Sequence, residues 1–165
     1  MEHYRHSVNQ IEEITVVIKQ YVLERFEREY NLLIELPGVS AIVACVILSE
    51  IGPNVEAFKS QGNLASWAGV CPGSYESAGI KKSSHTTQGN KYLKSILFQA
   101  GGTAGRSKDE AFHNLYARIS GRSSKMKAII ACAHKMIRVI YKILSTGEHY
   151  DAKKALGLRQ QARAN

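Results

Sequence analysis

The apolar positions of this chain recur at helical spacing over most of its length. Between residues 9 and 35 they step by three or four positions, at Ile11, Ile14, Ile18, Val22, Phe26, Tyr30 and Leu33. Neither Gly nor Pro interrupts this stretch, and the other faces carry charged residues. We therefore predict one long helix over residues 9–35. Its single apolar stripe must be buried on its own domain or against a partner chain.

The remaining pattern predicts further helices and no sheet. We expect helices over 41–50, 63–68, a segment opening at Gly89-Asn90 and interrupted by Gly101-Gly102 and Gly105, 109–121 and 123–145. Because no segment alternates like a half-buried strand, the predicted fold class is all-α. The predicted units are a coiled-coil-like helix (1–35), a compact helical domain (36–150) and a basic tail expected to be disordered (151–165).

The break after the long helix has a pattern of its own. Pro37, Gly38, Val39 and Ser40 stand between two predicted helices, as in a helix-hairpin-helix. In that motif a tight turn presents backbone N–H groups at a helix N-terminus, where they bind a nucleic-acid phosphate without reading the base. These four residues are therefore candidate phosphate contacts. A plain Pro-Gly turn is the alternative, and Ser40 can instead cap the following helix.

The segment 69–88 lacks a helical repeat and is rich in Gly, Ser, Thr and Lys. A polar loop held between rigid elements is a usual place for binding and chemistry. Ser77, with Lys81 and Lys82 just beyond, could meet a phosphate, and His85 could orient it or relay a proton. An ordinary surface loop is the alternative. Trp67, just before this loop, is predicted to anchor the core rather than to stack on bases.

The distribution of charge along the chain indicates the kind of partner that the protein binds. The net charge is +8, but residues 1–35 hold seven acids and four bases, whereas residues 36–165 hold 18 bases and seven acids. A basic region of this kind favours a polyanionic partner such as nucleic acid, with a merely basic surface as the alternative. Further candidate nucleic-acid contacts beside the loop and at the last helix are Asn90, Lys91, Lys94, Arg122 and Lys125.

Several classes of protein are disfavoured. No apolar run is long enough to cross a bilayer, and the N-terminus lacks the apolar core of a signal peptide. The three scattered cysteines indicate reduced thiols in a cytoplasmic protein. Nucleotide-binding and zinc-binding motifs are absent from the sequence, and the acids of the basic region do not cluster, so we expect no cofactor held by this chain.

Taken in order, several short motifs resemble one family of transposases. The resemblance is to the C-terminal domain of the DEDD/serine insertion-sequence transposases (the insertion-sequence one-ten group, RNA-guided bridge recombinases). It covers roughly residues 30–150. The motifs that carry it are Leu36-Pro37-Gly38-Val39, Trp67-Ala68-Gly69-Val70-Cys71-Pro72, Ser77-Ala78-Gly79, Gly89-Asn90 with Leu93-Lys94, and the Lys-rich last helix up to Tyr150.

The resemblance implies a function and a catalytic residue. Such enzymes join a RuvC-like domain, whose four acidic residues hold Mg²⁺, through a coiled coil to a C-terminal domain with a serine nucleophile. Here that serine is Ser77, and helix 9–35 resembles the end of the coiled coil. The RuvC-like domain is missing from this chain, so it resembles a C-terminal fragment that we expect to bind DNA without cutting it.

The resemblance also implies partners, and this sequence departs from the family pattern at two places. The partners are DNA and a guide RNA, with a homo-oligomer formed through helix 9–35, at the bacterial nucleoid. His85-Thr86-Thr87-Gln88 stands where the family commonly has a lysine, and Lys94 stands where an arginine is usual, which removes bidentate phosphate recognition. Two rival hypotheses remain: a non-catalytic helix-hairpin-helix module that binds nucleic acid, and a dimerising scaffold.

Overall fold

The computed structural model describes residues 1–71, 75–77, 80–83 and 86–157, and this part of the chain is helical, as predicted. The one exception is a short antiparallel pair of strands inside the predicted loop. The elements in chain order are α1 (Glu2–Ile34), α2 (Ala41–Ile51), α3 (Gln61–Trp67), β1 (Tyr75–Ser77), β2 (Ile80–Ser83), α4 (Lys91–Arg106), α5 (Glu110–Ser120), α6 (Lys125–Thr146) and α7 (Ala152–Gly157).

The long helix α1 begins earlier than predicted and is kinked at Phe26, whose φ of −138° and ψ of 35° are not helical. After the kink, Tyr30 and Leu33 are buried in the domain core. Before it, the apolar stripe lies open, with Ile11 64% and Ile14 59% exposed. Only the second part of α1 is therefore fully integrated into the core, and most of the first part presents an uncovered apolar stripe.

Helices α4 and α6 form the centre of the domain. We predicted that glycines would interrupt α4, and this was wrong, because the helix runs unbroken from Lys91 to Arg106. A Cβ placed on Gly101 would lie 2.7 Å from the backbone nitrogen of Ala133 in α6. The glycine thus allows close contact between two helices, and that packing outweighs its low helix propensity. Fully buried side chains around this contact are Leu93, Leu97, Phe112, Met136, Ile137 and Ile140.

The C-terminal segment packs back on the domain. Residues 152–157, which we assigned to a disordered tail, form the short helix α7, and residues 158–165 lie outside the described residues. The Asp151 carboxylate accepts a hydrogen bond from the Lys153 N–H (2.8 Å), which caps this helix. Ala155 is buried, and the Tyr150 hydroxyl donates to the Asp109 carboxylate (2.9 Å). None of the helices in the described ranges is long and apolar enough to span a membrane.

Candidate functional site

The two ends of the segment that carries Ser77 meet at a single point. The Asn90 N–H donates to the Trp67 carbonyl (3.0 Å), and the Thr87 N–H donates to the Cys71 carbonyl (3.2 Å). A Cβ on Gly89 would lie 2.6 Å from the Cα of Gly69, so these two backbones touch where any larger residue would separate them. The segment therefore leaves and re-enters the helical domain at one closed junction.

Beyond this junction the chain forms a hairpin where we predicted a loop. Strands β1 and β2 pair antiparallel, with Ser77 opposite Ile80 and Glu76 opposite Lys81, and the register is irregular between Tyr75 and Glu76. Ser77 is thus the last residue of β1. Lys81 and its neighbour Lys82 lie on the returning strand. The side chains of these three residues, and the whole of His85, lie outside the described part of the chain.

Asn90 and Lys94 are engaged inside the protein rather than pointing to solvent. The Asn90 Oδ1 accepts from the backbone N–H groups of Tyr92 (3.0 Å) and Leu93 (2.9 Å), which caps α4, and its amide donates to the Glu50 carboxylate. The Lys94 ammonium donates to the Thr87 carbonyl (3.0 Å). Lys91 is exposed. Asn90 and Lys94 therefore support the loop junction, and Lys91 is the member of this group open to a ligand.

The predicted phosphate-binding turn lies between α1 and α2 and packs on α4. Gly38 has a φ of +83°, and a Cβ there would lie 2.8 Å from the backbone nitrogen of Ala104. Val39 is buried and its N–H donates to the Leu36 carbonyl (3.1 Å). Pro37 is half-buried and Ser40 is exposed, and the Ser40 hydroxyl accepts from the Val43 N–H (3.4 Å). The solvent side of this turn is therefore Ser40 and the first residues of α2.

Arg122 and Lys125 lie apart from the loop, in the turn that leads into α6. Both are exposed, and the neighbouring Ser124 hydroxyl caps α6 by accepting from the Lys127 N–H (3.2 Å). Arg106, at the end of α4, is also exposed and was not predicted as a contact. A Cβ on Gly102 would lie 3.5 Å from the Arg106 guanidinium and 3.6 Å from the side chain of Ile129 in α6. Arg122 and Lys125 therefore present exposed positive charge where α6 begins.

Two ionisable side chains are partly buried along α6. Burial lowers the pKa of His134, with nearby Arg138 acting in the same direction. Burial likewise lowers the pKa of Lys135, opposed by the Asp109 carboxylate. The Lys135 ammonium donates to the Ala111 carbonyl (2.9 Å), so it joins α6 to α5.

Trp67 departs from the prediction that it anchors the core. It is 40% exposed, and its ring contacts Phe58 at a centroid distance of 5.4 Å and an interplanar angle of 58°. Helix α3 is short, and its core-facing positions are filled by Leu64 and Ala65, which are fully buried. The indole therefore lies at the edge of the helix, beside the loop junction that its own carbonyl helps to close.

Within residues 1–71 and 86–157, no three His, Cys, Asp or Glu side chains are grouped so that they could hold a metal ion. The Glu50 carboxylate, which accepts from the Asn90 amide at the loop junction, belongs to no such group. Mg²⁺ requires several oxygen ligands in near-octahedral geometry. The described residues do not fit such an ion.

Comparisons with known proteins show similarity to transposases. Residues 30–117 match the family model described as Transposase IS116/IS110/IS902 family. The chain is 31% identical over 157 residues to a putative transposase (y4pF/y4sB) of Sinorhizobium fredii, covering 90% of the chain and 39% of that protein. It is 28% identical over 133 residues to an uncharacterized 43.6 kDa protein of insertion element IS110 from Streptomyces coelicolor, covering 79% and 32%.

A relative with a different name also matches. The chain is 28% identical over 158 residues to the pilin gene-inverting protein of Moraxella lacunata, covering 92% of the chain and 48% of that protein. The chain thus spans between about a third and a half of the length of these relatives. The matched family residues contain the Pro-Gly turn, the loop junction and Ser77.

Proposed function

Because the chain belongs to the IS116/IS110/IS902 transposase family, we propose that it is part of a DNA transposase or recombinase and that Ser77 is its nucleophile. Proteins named as transposases and a protein named for inverting a pilin gene are both among its relatives. All of these names concern the rearrangement of DNA. The part assigned to this chain is to bind nucleic acid and to supply the attacking serine for strand cleavage and exchange.

The observation that carries this proposal is the closed loop junction. Backbone contacts of Trp67 and Gly69 with Gly89 and Asn90 hold both ends of the Ser77 segment on one rigid base. A nucleophile must be positioned to within a fraction of an ångström to gain from proximity. A hairpin clamped at its base by two helices is a suitable support for a residue with that task.

The proposed chemistry is a transesterification. The Ser77 hydroxyl loses its proton as its Oγ attacks a backbone phosphorus and an Oγ–P bond forms. The bond from phosphorus to one DNA oxygen breaks, and this leaving oxygen takes up a proton, so that no proton is gained or lost overall. The phosphoserine link conserves the free energy of the broken phosphodiester bond, so that another DNA end can attack the phosphorus and form a new bond. Lys81 and Lys82, on the strand paired with that of Ser77, are proposed to balance the negative charge that develops on the phosphorus oxygens.

The resemblance implies Mg²⁺ bound by four acidic residues of a RuvC-like domain. Since the described residues do not fit this ion, we assign it to that domain, and the chemistry assigned to this chain is limited to Ser77 and its basic neighbours. The composite site needs both parts. We therefore propose that this chain by itself binds DNA and does not cut it.

The nucleic-acid surface is proposed to have two parts. In the first, Ser40 and the first turn of α2 receive a phosphate, with Pro37 and Gly38 shaping the turn. In the second, Arg122 and Lys125 add exposed positive charge, and Lys91 extends the surface toward the loop. The resemblance implies a guide RNA, which we propose as a second nucleic-acid partner, because a surface that binds phosphates does not read sequence. The proposed place of the protein in the cell is the nucleoid.

The first part of α1 is proposed to pair with a second copy of the chain. Ile11, Ile14 and Ile18 form one stripe of its surface and are all exposed. Burying such a stripe against its equivalent is the usual basis of a coiled coil. Light scattering should report an oligomer that is insensitive to salt, and replacing all three isoleucines by serine should leave a monomer. An oligomer that survives this replacement would reject this contact.

Replacing the proposed nucleophile tests the function. In a complete transposase that carries this domain, Ser77→Ala should abolish recombination and leave DNA affinity unchanged. Ser83→Ala, on the paired strand, is the matched control and should recombine normally. The rival function is a non-catalytic module, favoured by the exposed cations Arg122 and Lys125. Retained recombination by Ser77→Ala would support that rival and reject the proposal.

A further inference from the structure

Trp67 leaves a large aromatic surface in solvent. It is the one tryptophan of the sequence and is 40% exposed, whereas Leu64, Ala65 and Ala68 around it are fully buried. An aromatic side chain of this size gains much by burial, and tryptophan is enriched where proteins bind partners. The exposed indole is therefore better explained by a ligand than by the packing of α3.

The ring is held by a fixed backbone and a fixed neighbour. The Trp67 carbonyl accepts from the Asn90 N–H (3.0 Å), and its ring packs on Phe58. Phe58 is held in turn, because its carbonyl accepts from the Tyr141 hydroxyl (3.3 Å) and its N–H donates to the Val55 carbonyl (3.0 Å). A flat ligand that stacks on the indole would thus meet a preorganised surface.

Positive charge lies beside this aromatic pair. Lys59 is exposed and follows Phe58 directly in the chain. The Arg138 Nε donates to the Gln61 Oε1 (3.2 Å), which places a guanidinium at the start of α3. Two acids of the described residues belong to this neighbourhood: Glu56, which is exposed, and Glu50, whose carboxylate accepts from the Asn90 amide. An aromatic face beside cations that can follow a phosphate backbone is the usual composition of a surface that binds single-stranded nucleic acid.

We propose that the open face of Trp67 stacks on an unpaired nucleobase of the DNA strand that Ser77 attacks. The identity of the strand rests on the proposed function, since Trp67 stands at the junction from which the Ser77 segment departs. Within a duplex both faces of each base are covered by its neighbours, so a base must be unpaired to stack on protein. A strand being exchanged passes through such a state.

The single tryptophan makes this proposal directly measurable. In the 165-residue chain all tryptophan fluorescence comes from Trp67, and a stacked base quenches it. A short oligothymidine should quench the emission at lower concentration than a blunt duplex of the same length, and than an oligouridine. Equal quenching by the duplex would overturn the proposal. Tighter quenching by the oligouridine would overturn the assignment to DNA.

Substitutions provide the second measurement. Stacking of one base contributes about 1–3 kcal/mol, so Trp67→Ala should weaken the Kd for oligothymidine by about 5- to 150-fold. Trp67→Phe should retain most of the affinity, and Tyr4→Ala, an exposed aromatic at the start of α1, should bind like the wild type. An unchanged Kd for Trp67→Ala would overturn the proposal. Should Trp67→Ala fail to fold, the ratio of single-strand to duplex quenching in the wild type decides by itself.

This result is separable from the test of Ser77. Ser77→Ala should show the same quenching as the wild type, because it leaves the indole in place. If Trp67→Ala binds oligothymidine normally while Ser77→Ala abolishes recombination, stacking is rejected and the proposed function stands. If Ser77→Ala recombines while Trp67→Ala loses affinity, the nucleophile is rejected and the nucleobase site stands.

Discussion

The side-chain amide of Asn90 donates a hydrogen bond to the carboxylate of Glu50, which lies 40 residues earlier near the end of α2. This bond fixes which side of the Asn90 side chain faces α4, so its Oδ1 can cap that helix. The Asn90 N–H meanwhile closes the loop junction at Trp67. One residue thus joins α2, α4 and the base of the Ser77 segment.

The first prediction follows from that bond. Aspartate normally caps a helix as well as asparagine, but Asn90→Asp would place a second carboxylate against Glu50. We expect the free energy of unfolding to fall by about 1–3 kcal/mol at neutral pH, since the half-buried Glu50 carboxylate loses its donor and gains a like charge beside it. Urea denaturation measures this. Adding Glu50→Gln should restore most of the loss by returning a donor to the pair.

Ser124→Asp is the matched control for Asn90→Asp. Ser124 caps α6 through the same type of bond, and lysines rather than an acid stand beside it. We expect this variant to be as stable as the wild type. Equal stability of Asn90→Asp and the wild type would contradict the role given to Glu50.

Gly89→Ala should open the loop junction. Its new methyl group would lie 2.6 Å from the Cα of Gly69, and the other two nearest atoms, the Gly69 nitrogen and the Trp67 carbonyl oxygen, are also backbone atoms that cannot rotate away. Overpacking of this kind costs about 1–3 kcal/mol, and thermal unfolding measures it. Gly62→Ala in α3 is the control, because its nearest atom is 3.6 Å away, and it should be neutral or slightly stabilising. A Gly89→Ala variant as stable as Gly62→Ala would show that the junction is not close-packed.

The stability of the chain should depend on pH through Glu35. Its carboxylate accepts from the His149 ring (2.7 Å) and the Tyr150 N–H (3.1 Å). The His149 bond holds the pKa of Glu35 below its usual 4.5, opposed by partial burial and supported by the Tyr150 N–H. The stabilisation is therefore complete above the unfolded pKa of about 4.5 and is lost as the pH falls through the lower folded value.

Glu35→Gln tests this dependence. Water screens the exposed pair, so the effect should be at most about 1 kcal/mol. The variant should be less stable than the wild type at neutral pH, and the difference should disappear in acid. Glu12→Gln, on the exposed first part of α1, should show no such convergence. A difference that stays constant as the pH falls further and further below 4.5 would contradict the assignment, because protonation of the carboxylate removes the interaction that distinguishes glutamate from glutamine.

Salt dependence tests the exposed cations. Each phosphate contact contributes about 0.9 to the slope of log K against log salt for duplex DNA. Replacing Arg122 or Lys125 by alanine should therefore lower the slope by about that amount and weaken all sequences alike. Arg5→Ala at the start of α1 should leave the slope unchanged. An unchanged slope for both Arg122→Ala and Lys125→Ala would remove this end of the domain from the interface.

Much of the helical fold was predictable, because apolar period and capping residues are local signals. Ser40, Asn90 and Ser124 cap the helices that the pattern predicted there. The glycines of α4 misled the prediction, since Gly101 is explained by Ala133 on a helix more than thirty residues away. A helix breaker and a helix-packing glycine look alike in sequence, and only the tertiary contact distinguishes them.

Residues of the candidate site were predicted from the sequence, but the contacts that hold them in place were not. The resemblance singled out Ser77 and Asn90, and the structure adds that Asn90 is bonded to Glu50 and Trp67 rather than left free for a ligand. Glu50 carried no signal, because one acid at the end of an apolar helix has no pattern. The exposure of Trp67 also could not be predicted. Trp67 follows Leu64 by three residues, and this spacing is typical of two residues on the same apolar face of a helix.

The nucleophilic role of Ser77 is tested most directly by trapping its covalent product. In a complete transposase that carries this domain, a nicked substrate that cannot be religated should leave DNA attached to the protein. Digestion and mass spectrometry should then find the nucleotide on the peptide containing Ser77, in the wild type and in Ser83→Ala but not in Ser77→Ala. Cleaved DNA without any adduct, or an adduct on another residue, would contradict the account.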